Sequence, residues 1–183
     1  MTRIIAGVAG GRRLATLPGD TTRPTTDRVR ESLFSSLESA LGGLAGLRVL
    51  DLFAGSGALG LEAASRGAAA VDLVEKDARA ATVVQRNAAT VGAPGAKVHR
   101  TTAERFLTTT PAAPYDLVLL DPPYALPHLA LADLLTGLRA PGWLAEDALV
   151  VVERSSRDAF AWPEGYEAVR DKTYGETRLW YGR

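Results

Sequence analysis

From Arg48 onward, short apolar runs alternate with segments whose apolar residues recur every three or four positions. The runs Arg48 to Phe53, Ala70 to Glu75, Ala96 to Thr101, Tyr115 to Asp121 and Ala148 to Glu153 read as strands. Leu59 to Arg66, Asp77 to Val91, Thr102 to Leu107 and Pro127 to Leu138 read as helices between them. Strands that are apolar throughout, rather than at every second position, are those covered on both faces. The rhythm therefore predicts an α/β fold with a mostly parallel sheet between two helical layers. After Glu153 the rhythm stops. Tyr166 to Thr173 and Thr177 to Tyr181, around the turn Tyr174-Gly175-Glu176, predict an antiparallel hairpin that closes one sheet edge and brings the strand count to seven.

The first part of the chain follows a different pattern. Arg3 to Ala9 and Arg12 to Leu17 are β-prone and joined by Gly10-Gly11, which predicts a small hairpin. Gly19 to Thr26 reads as loop. A helix then starts near Asp27, carries Val29, Leu33, Leu37 and Leu41 on one face, and ends at Gly42-Gly43. Residues 1–43 are thus expected as an extension packed on a core of residues 44–183, the whole forming one globular unit. A chain of 183 residues suits one such domain.

Composition narrows the chemistry. With no cysteine, disulfides, thiolate metal sites, iron–sulfur clusters and cysteine nucleophiles are excluded. His99 and His128 stand far apart and offer no metal-ligand spacing, so no metal is expected. No window approaches the run of about eighteen apolar residues that a membrane span needs, and Met1 to Arg13 lacks a signal-peptide core, so a cytoplasmic location with no membrane partner is expected. The formal net charge is zero, yet residues 1–30 hold six arginines against two aspartates, a basic arm on a slightly acidic body. Charge alone does not separate a nucleic-acid contact from a solvated surface.

The strongest local motif is Asp51-Leu52-Phe53-Ala54-Gly55-Ser56-Gly57-Ala58-Leu59-Gly60, at the end of the first sheet strand and the start of a helix. Glycines there let the backbone turn tightly and approach a nucleotide-type ligand. Glu75, twenty residues after Gly55 and at the end of the next strand, is placed to accept hydrogen bonds from ribose hydroxyls. Gly55-x-Gly57-x-x-Gly60 also matches a dinucleotide fingerprint, so an NAD-binding oxidoreductase stays open. Asp51, four residues before Gly55, favours S-adenosylmethionine, because a carboxylate suits its cationic methionyl end and ill suits a pyrophosphate.

A second motif, Asp121-Pro122-Pro123-Tyr124, ends the fourth strand. Ligands of open α/β sheets lie beyond the carboxyl ends of the strands, so this loop and the glycine loop are expected to flank one crevice. An exocyclic amine of a base is a poor nucleophile, its lone pair being delocalised into the ring. Asp121 and the Pro122 carbonyl can accept its two N–H bonds and direct the lone pair at a methyl donor. The two prolines stiffen the loop, and Tyr124 offers an aromatic face to an extruded base, a contact worth roughly 1–3 kcal/mol.

The glycine loop followed by Asp-Pro-Pro-Tyr resembles the class I, Rossmann-like amino-methyltransferases. With Arg23-Pro24-Thr25-Thr26-Asp27-Arg28-Val29-Arg30-Glu31-Ser32-Leu33-Phe34 added, the chain from about Arg3 to Tyr181 is similar to the RsmD family of bacterial ribosomal RNA guanine-N2 methyltransferases. The resemblance implies a methyltransferase domain over residues 44–183, S-adenosylmethionine as cofactor, and methylation of a guanine N2 in 16S ribosomal RNA, within the small ribosomal subunit or an assembly intermediate. By position it implies that Asp51, Phe53, Gly55, Ser56, Gly57, Leu59 and Glu75 line the cofactor site, with Lys76 and the Ala103 backbone beside them, and that Asp121, Pro122, Pro123 and Tyr124 hold the base. It also implies RNA or cofactor contacts from Arg23, Thr25, Thr26, Arg28 and Arg30, and phosphate contacts from Arg12 and Arg13. One departure stands out. Thr101-Thr102-Ala103-Glu104 occupies the place where many class I enzymes carry Asp or Asn toward the adenine amino group.

Nothing in Asp-Pro-Pro-Tyr separates guanine from adenine, so adenine-N6 methylation of DNA or RNA is the nearest alternative. An oxidoreductase and an RNA-binding module without catalysis are the alternatives from other classes.

Overall fold

The computed structural model describes residues 2–17 and 26–183. Its elements are α1 (Thr26–Leu41), β1 (Arg48–Asp51), α2 (Ala58–Ser65), β2 (Ala70–Glu75), α3 (Ala78–Val91), β3 (Ala96–Arg100), α4 (Ala103–Phe106), β4 (Tyr115–Leu120), α5 (His128–Leu138), β5 (Leu144–Ser155), β6 (Ala168–Tyr174) and β7 (Thr177–Gly182). One seven-stranded sheet runs β3-β2-β1-β4-β5-β7-β6. The strands from β3 to β5 pair in parallel, and β7 is antiparallel to both β5 and β6. Winding proceeds outward from β1 to β3, then returns to β4 on the other side of β1. The switch of direction therefore lies between β1 and β4, at the middle of the sheet. This is the Rossmann-like arrangement that the resemblance implies.

Alternation within each strand sorts its side chains between two cores. Val49, Val71, Leu73, Leu117, Leu119 and Val151 face the layer of α1, α2 and α3. Leu50, Leu52, Val74, Val118, Leu120 and Val152 face α4, α5 and the loop residue Phe160. Both faces being covered explains why the strand sequences are apolar without a break. β5 begins earlier than the apolar run suggests. Its first residue Leu144 pairs with Tyr115, and the register then shifts so that Leu149 meets Leu117. The exposed acids Glu146 and Asp147 fall in that irregular stretch and disguise the strand's beginning.

The N-terminal hairpin takes a different form from the one its glycines predict. Arg3 and Arg13 form an antiparallel bridge, with Ile4 N–H donating to the Arg12 carbonyl (2.9 Å) and Leu14 N–H to that of Thr2 (2.9 Å). The chain between them is a longer loop instead of a tight Gly10-Gly11 turn, and of these two glycines only Gly11 has positive φ. The loop is shaped by α2. Glu62, wholly buried, accepts the N–H groups of Ile5 (2.7 Å) and Ala6 (3.0 Å), and Ser65 Oγ accepts that of Ala9 (3.0 Å). Satisfying these amides, with the Ala9 N–H fully buried, outweighs the preference of Gly-Gly for a hairpin turn. No helix among the described residues is long and apolar enough to cross a membrane.

Candidate functional site

β1 and β4 are neighbours in register, Asp51 opposite Leu119, and the ladder continues as Leu52 N–H donates to the Leu119 carbonyl (3.0 Å). The glycine loop and the Asp121–Tyr124 loop therefore leave adjacent strand ends on the same edge. Ala54 N–H donates to the Val74 carbonyl (2.9 Å), which draws the glycine loop across the end of β2 as well.

Asp51 organises this loop from beneath. It is 1% exposed, and its carboxylate accepts the Gly60 N–H at 3.0 Å and the Phe53 N–H at 3.4 Å. Burial pushes its carboxyl up to about 7, against the pull of those two hydrogen bonds, and the neighbouring charges of Asp121 and Glu75 push the same way. Three carboxylates from three adjacent strand ends thus share one field, suited to a cation. Gly57 caps α2 in the left-handed region, φ +83°. Gly60 is required by packing, because a Cβ there would lie 2.6 Å from Leu73 Cδ2.

Glu75 stands at the end of β2. Its Oε2 accepts the Gly55 N–H (2.9 Å) and its Oε1 the Asp77 N–H (2.8 Å). Each oxygen keeps a lone pair that can accept a hydroxyl. No atom stands within 4 Å of the place a Gly55 side chain would occupy, so the backbone is open to a ligand there. Phe53 and Ala103 pack with the α4–α5 core, Leu59 with the other core, and Lys76 is exposed. A ribose-bearing cation fits this set of an open glycine turn, a bidentate acceptor and apolar walls. Thr102 Oγ1 caps α4 by accepting the Arg105 N–H (3.2 Å), whereas Glu104 is exposed in the first turn of that helix.

In the second loop Pro122 is buried, while Asp121, Pro123 and Tyr124 are exposed, Tyr124 to 41%. Leu126 N–H donates to the Pro123 carbonyl (2.8 Å), so Tyr124 stands at the corner of a closed turn.

The arginines of the arm divide into two groups. Arg13 and Arg28 lie at the surface. Arg12, also exposed, donates to the Thr90 and Val91 carbonyls (2.5 and 3.1 Å) and so caps the C-terminus of α3. Arg30 is turned inward, 4% exposed, and donates to the Arg3 carbonyl (2.6 Å) and to Asp27 (2.8 Å). It holds the arm to α1. Thr26 opens α1, and Arg23 and Thr25 lie outside the described residues.

Two residues that the sequence reading passed over belong to the site's framework. Asn87, on the core-facing side of α3, donates to the Ser56 carbonyl (2.8 Å) in the glycine loop and to that of Ala15 (2.9 Å) in the arm. Arg154, buried at the end of β5, reaches the Tyr124 turn. The signal for each was a polar residue at a position that the surrounding pattern makes apolar.

The family described as conserved hypothetical protein 95 matches residues 2–183. Ribosomal RNA small subunit methyltransferase D of Escherichia coli strain K12 is 38% identical over 95% of this chain and 85% of its own length. The Haemophilus influenzae protein of the same name is 37% identical over 94% of this chain and 89% of its own. Among solved structures, a proposed methyltransferase of Escherichia coli superimposes with a TM-score of 0.83 at 37% identity, covering 98% of this chain and 96% of that one.

Proposed function

The chain belongs to the conserved hypothetical protein 95 family, the RsmD family, and from that premise we propose that it transfers a methyl group from S-adenosylmethionine to the exocyclic N2 of a guanine in 16S ribosomal RNA of the small subunit. The observation that carries this reading is the meeting of the glycine loop and the Asp121–Tyr124 loop at the switch point between β1 and β4. The open glycine turn and the Glu75 acceptor there are suited to a cationic nucleoside, beside a rigid acceptor loop. An oxidoreductase is disfavoured because the buried Asp51 and its acidic neighbours oppose a pyrophosphate.

When bound, S-adenosylmethionine supplies an electrophilic methyl group on a sulfonium centre. Glu75 accepts from the ribose hydroxyls, and Asp51 holds the glycine loop in its turn through Gly60 while contributing negative charge beneath it. Asp121 and the Pro122 carbonyl accept the two N–H bonds of the base's amine, which positions the lone pair and stabilises the charge that develops as the N–C bond forms. Tyr124 stacks on the extruded base. Arg13 and Arg28 meet RNA phosphates, and Arg23, Thr25 and Thr26 are assigned the same role. Arg12 joins them only if it keeps its hold on α3. Contacts to phosphate position the RNA without reading its sequence.

The test is transfer of labelled methyl to small subunits lacking the modification, with free 16S RNA and duplex DNA beside them. Label confined to RNA of the subunit supports the proposal, whereas label in DNA supports the adenine alternative.

A further inference from the structure

The turn that presents Tyr124 is gripped at both ends by one buried guanidinium. Arg154 Nη1 donates to the Pro123 carbonyl (3.4 Å) and Nη2 to the Leu126 carbonyl (3.3 Å), the first and last residues of the turn. Its Nε donates to Asp158 Oδ2 at 2.6 Å, and Asp158 Oδ1 meets His128 Nε2 at 2.7 Å. His128 opens α5, so the ion pair joins the end of β5, the loop and the start of the helix. The Arg154 side chain is 3% exposed.

A charge buried so deeply is costly unless every donor finds a partner. Here the Asp158 carboxylate balances the charge, and the two remaining nitrogens each meet a turn carbonyl. The fork is planar and rigid, so two carbonyls bound to it are fixed relative to each other. The turn cannot pivot without losing one of them, and the direction of Tyr124 follows. A cleft of about 400 Å³, lined by Tyr124, His128, Arg154, Arg157 and Asp158 among others, opens beside the grip.

We propose that Arg154, held by Asp158, is a positioning residue for methyl transfer, which sets the Pro123–Leu126 turn and thereby aims Tyr124 at the target base. The proposal rests on the methyltransferase reading above. Lysine does not replace the fork, since its donors sit on one nitrogen and cannot hold the two carbonyls and Asp158 in the fixed planar arrangement of the guanidinium.

The experiment joins two readouts on the full chain. Amide hydrogen exchange of the protein alone reports the turn through Leu126 N–H. Single-turnover transfer from S-adenosylmethionine to unmodified small subunits reports the reaction, with cofactor affinity measured by calorimetry. In Arg154→Met, exchange at Leu126 rises at least tenfold and transfer slows at least thirtyfold, while the cofactor dissociation constant stays within threefold. Arg154→Lys recovers only part of the rate. Because Arg154 acts through the turn, adding Arg154→Met to Tyr124→Ala slows transfer by less than threefold more. If Arg154→Met does not fold, Asp158→Asn carries the same readouts. Unchanged exchange, an equal loss of cofactor affinity, or multiplied losses in the double variant would each overturn the proposal. A wild-type protein that transfers no methyl group would defeat the function reading and Arg154's part in it, and the exchange result would still show whether the grip sets the turn.

Discussion

The buried amide of Asn87 donates to the Ser56 carbonyl at 2.8 Å, and so ties the middle of α3 to the centre of the glycine loop. The same side chain accepts the Ala15 N–H at 2.8 Å and donates to the Ala15 carbonyl at 2.9 Å, pairing the N-terminal arm as a strand would. One 1%-exposed residue thus holds the glycine loop and the N-terminal arm together. Asn87→Ala leaves three partly buried backbone groups without the partners they have here. It is expected to lower stability by about 2–3 kcal/mol and weaken cofactor binding several-fold. Denaturant unfolding and calorimetry check both, and unchanged affinity would separate the loop from Asn87.

Asp51 gives the protein a pH signature. Its carboxyl is pushed up to about 7 by burial, from an unfolded value near 3.9. Between those values the native state keeps a proton that the unfolded state has released. Stability from this group therefore falls as pH rises from about 4 to 7, by up to roughly 4 kcal/mol. Asp51→Asn is expected to flatten that slope, as thermal unfolding of the pair across pH will show. A cationic ligand in the cleft favours the ionised carboxylate, so binding at pH 6 should release a proton. Calorimetry in buffers of different ionisation enthalpy detects it, and parallel slopes for wild type and variant would contradict the assignment.

Much of this was legible beforehand because burial on both faces writes itself into a strand as an unbroken apolar run, as in Leu117 to Leu120. The glycine loop and Asp-Pro-Pro-Tyr were legible for a related reason: their residue types are demanded by backbone geometry at a strand end. The rest depends on contacts distant in sequence. Gly10-Gly11 suggested a tight turn, but Glu62 and Ser65, more than fifty residues away, draw the preceding amides into a longer loop. Arg30 sits in a basic stretch yet faces inward, because Asp27 and the Arg3 carbonyl supply its partners. The grip of Arg154 on the Tyr124 turn spans two sheet strands and a helix start, which no local pattern encodes.

Gly60 tests the packing beneath the glycine loop separately from its chemistry. A Cβ there meets Leu73 Cδ2 at 2.6 Å and Val71 Cγ1 at 3.1 Å, both inside the core. Gly60→Ala is expected to cost about 1–3 kcal/mol through displacement of α2 from the sheet. Gly55→Ala meets no neighbour, and its φ of +56° makes its cost a backbone one of about 1 kcal/mol. Thermal unfolding of the two variants distinguishes these causes, and equal stability of Gly60→Ala and wild type would remove the packing explanation.

Glu75 and Asp121 are expected to fail differently. Glu75→Ala weakens cofactor binding tenfold or more, since it removes the acceptor above Gly55. Asp121→Ala leaves cofactor affinity within a few-fold and lowers turnover at least a hundredfold, because its bonds are made to the reacting amine. Equal losses of affinity and turnover in Asp121→Ala would contradict its role.

The most direct measurement is the identity of the methylated nucleoside. Small subunits lacking the modification are incubated with the protein and labelled S-adenosylmethionine, the RNA is digested, and the labelled product is identified by mass spectrometry. N2-methylguanosine, absent when Asp121→Ala replaces the wild-type protein, is the expected result. N6-methyladenosine, or no labelled nucleoside from a protein that binds the cofactor, would contradict it.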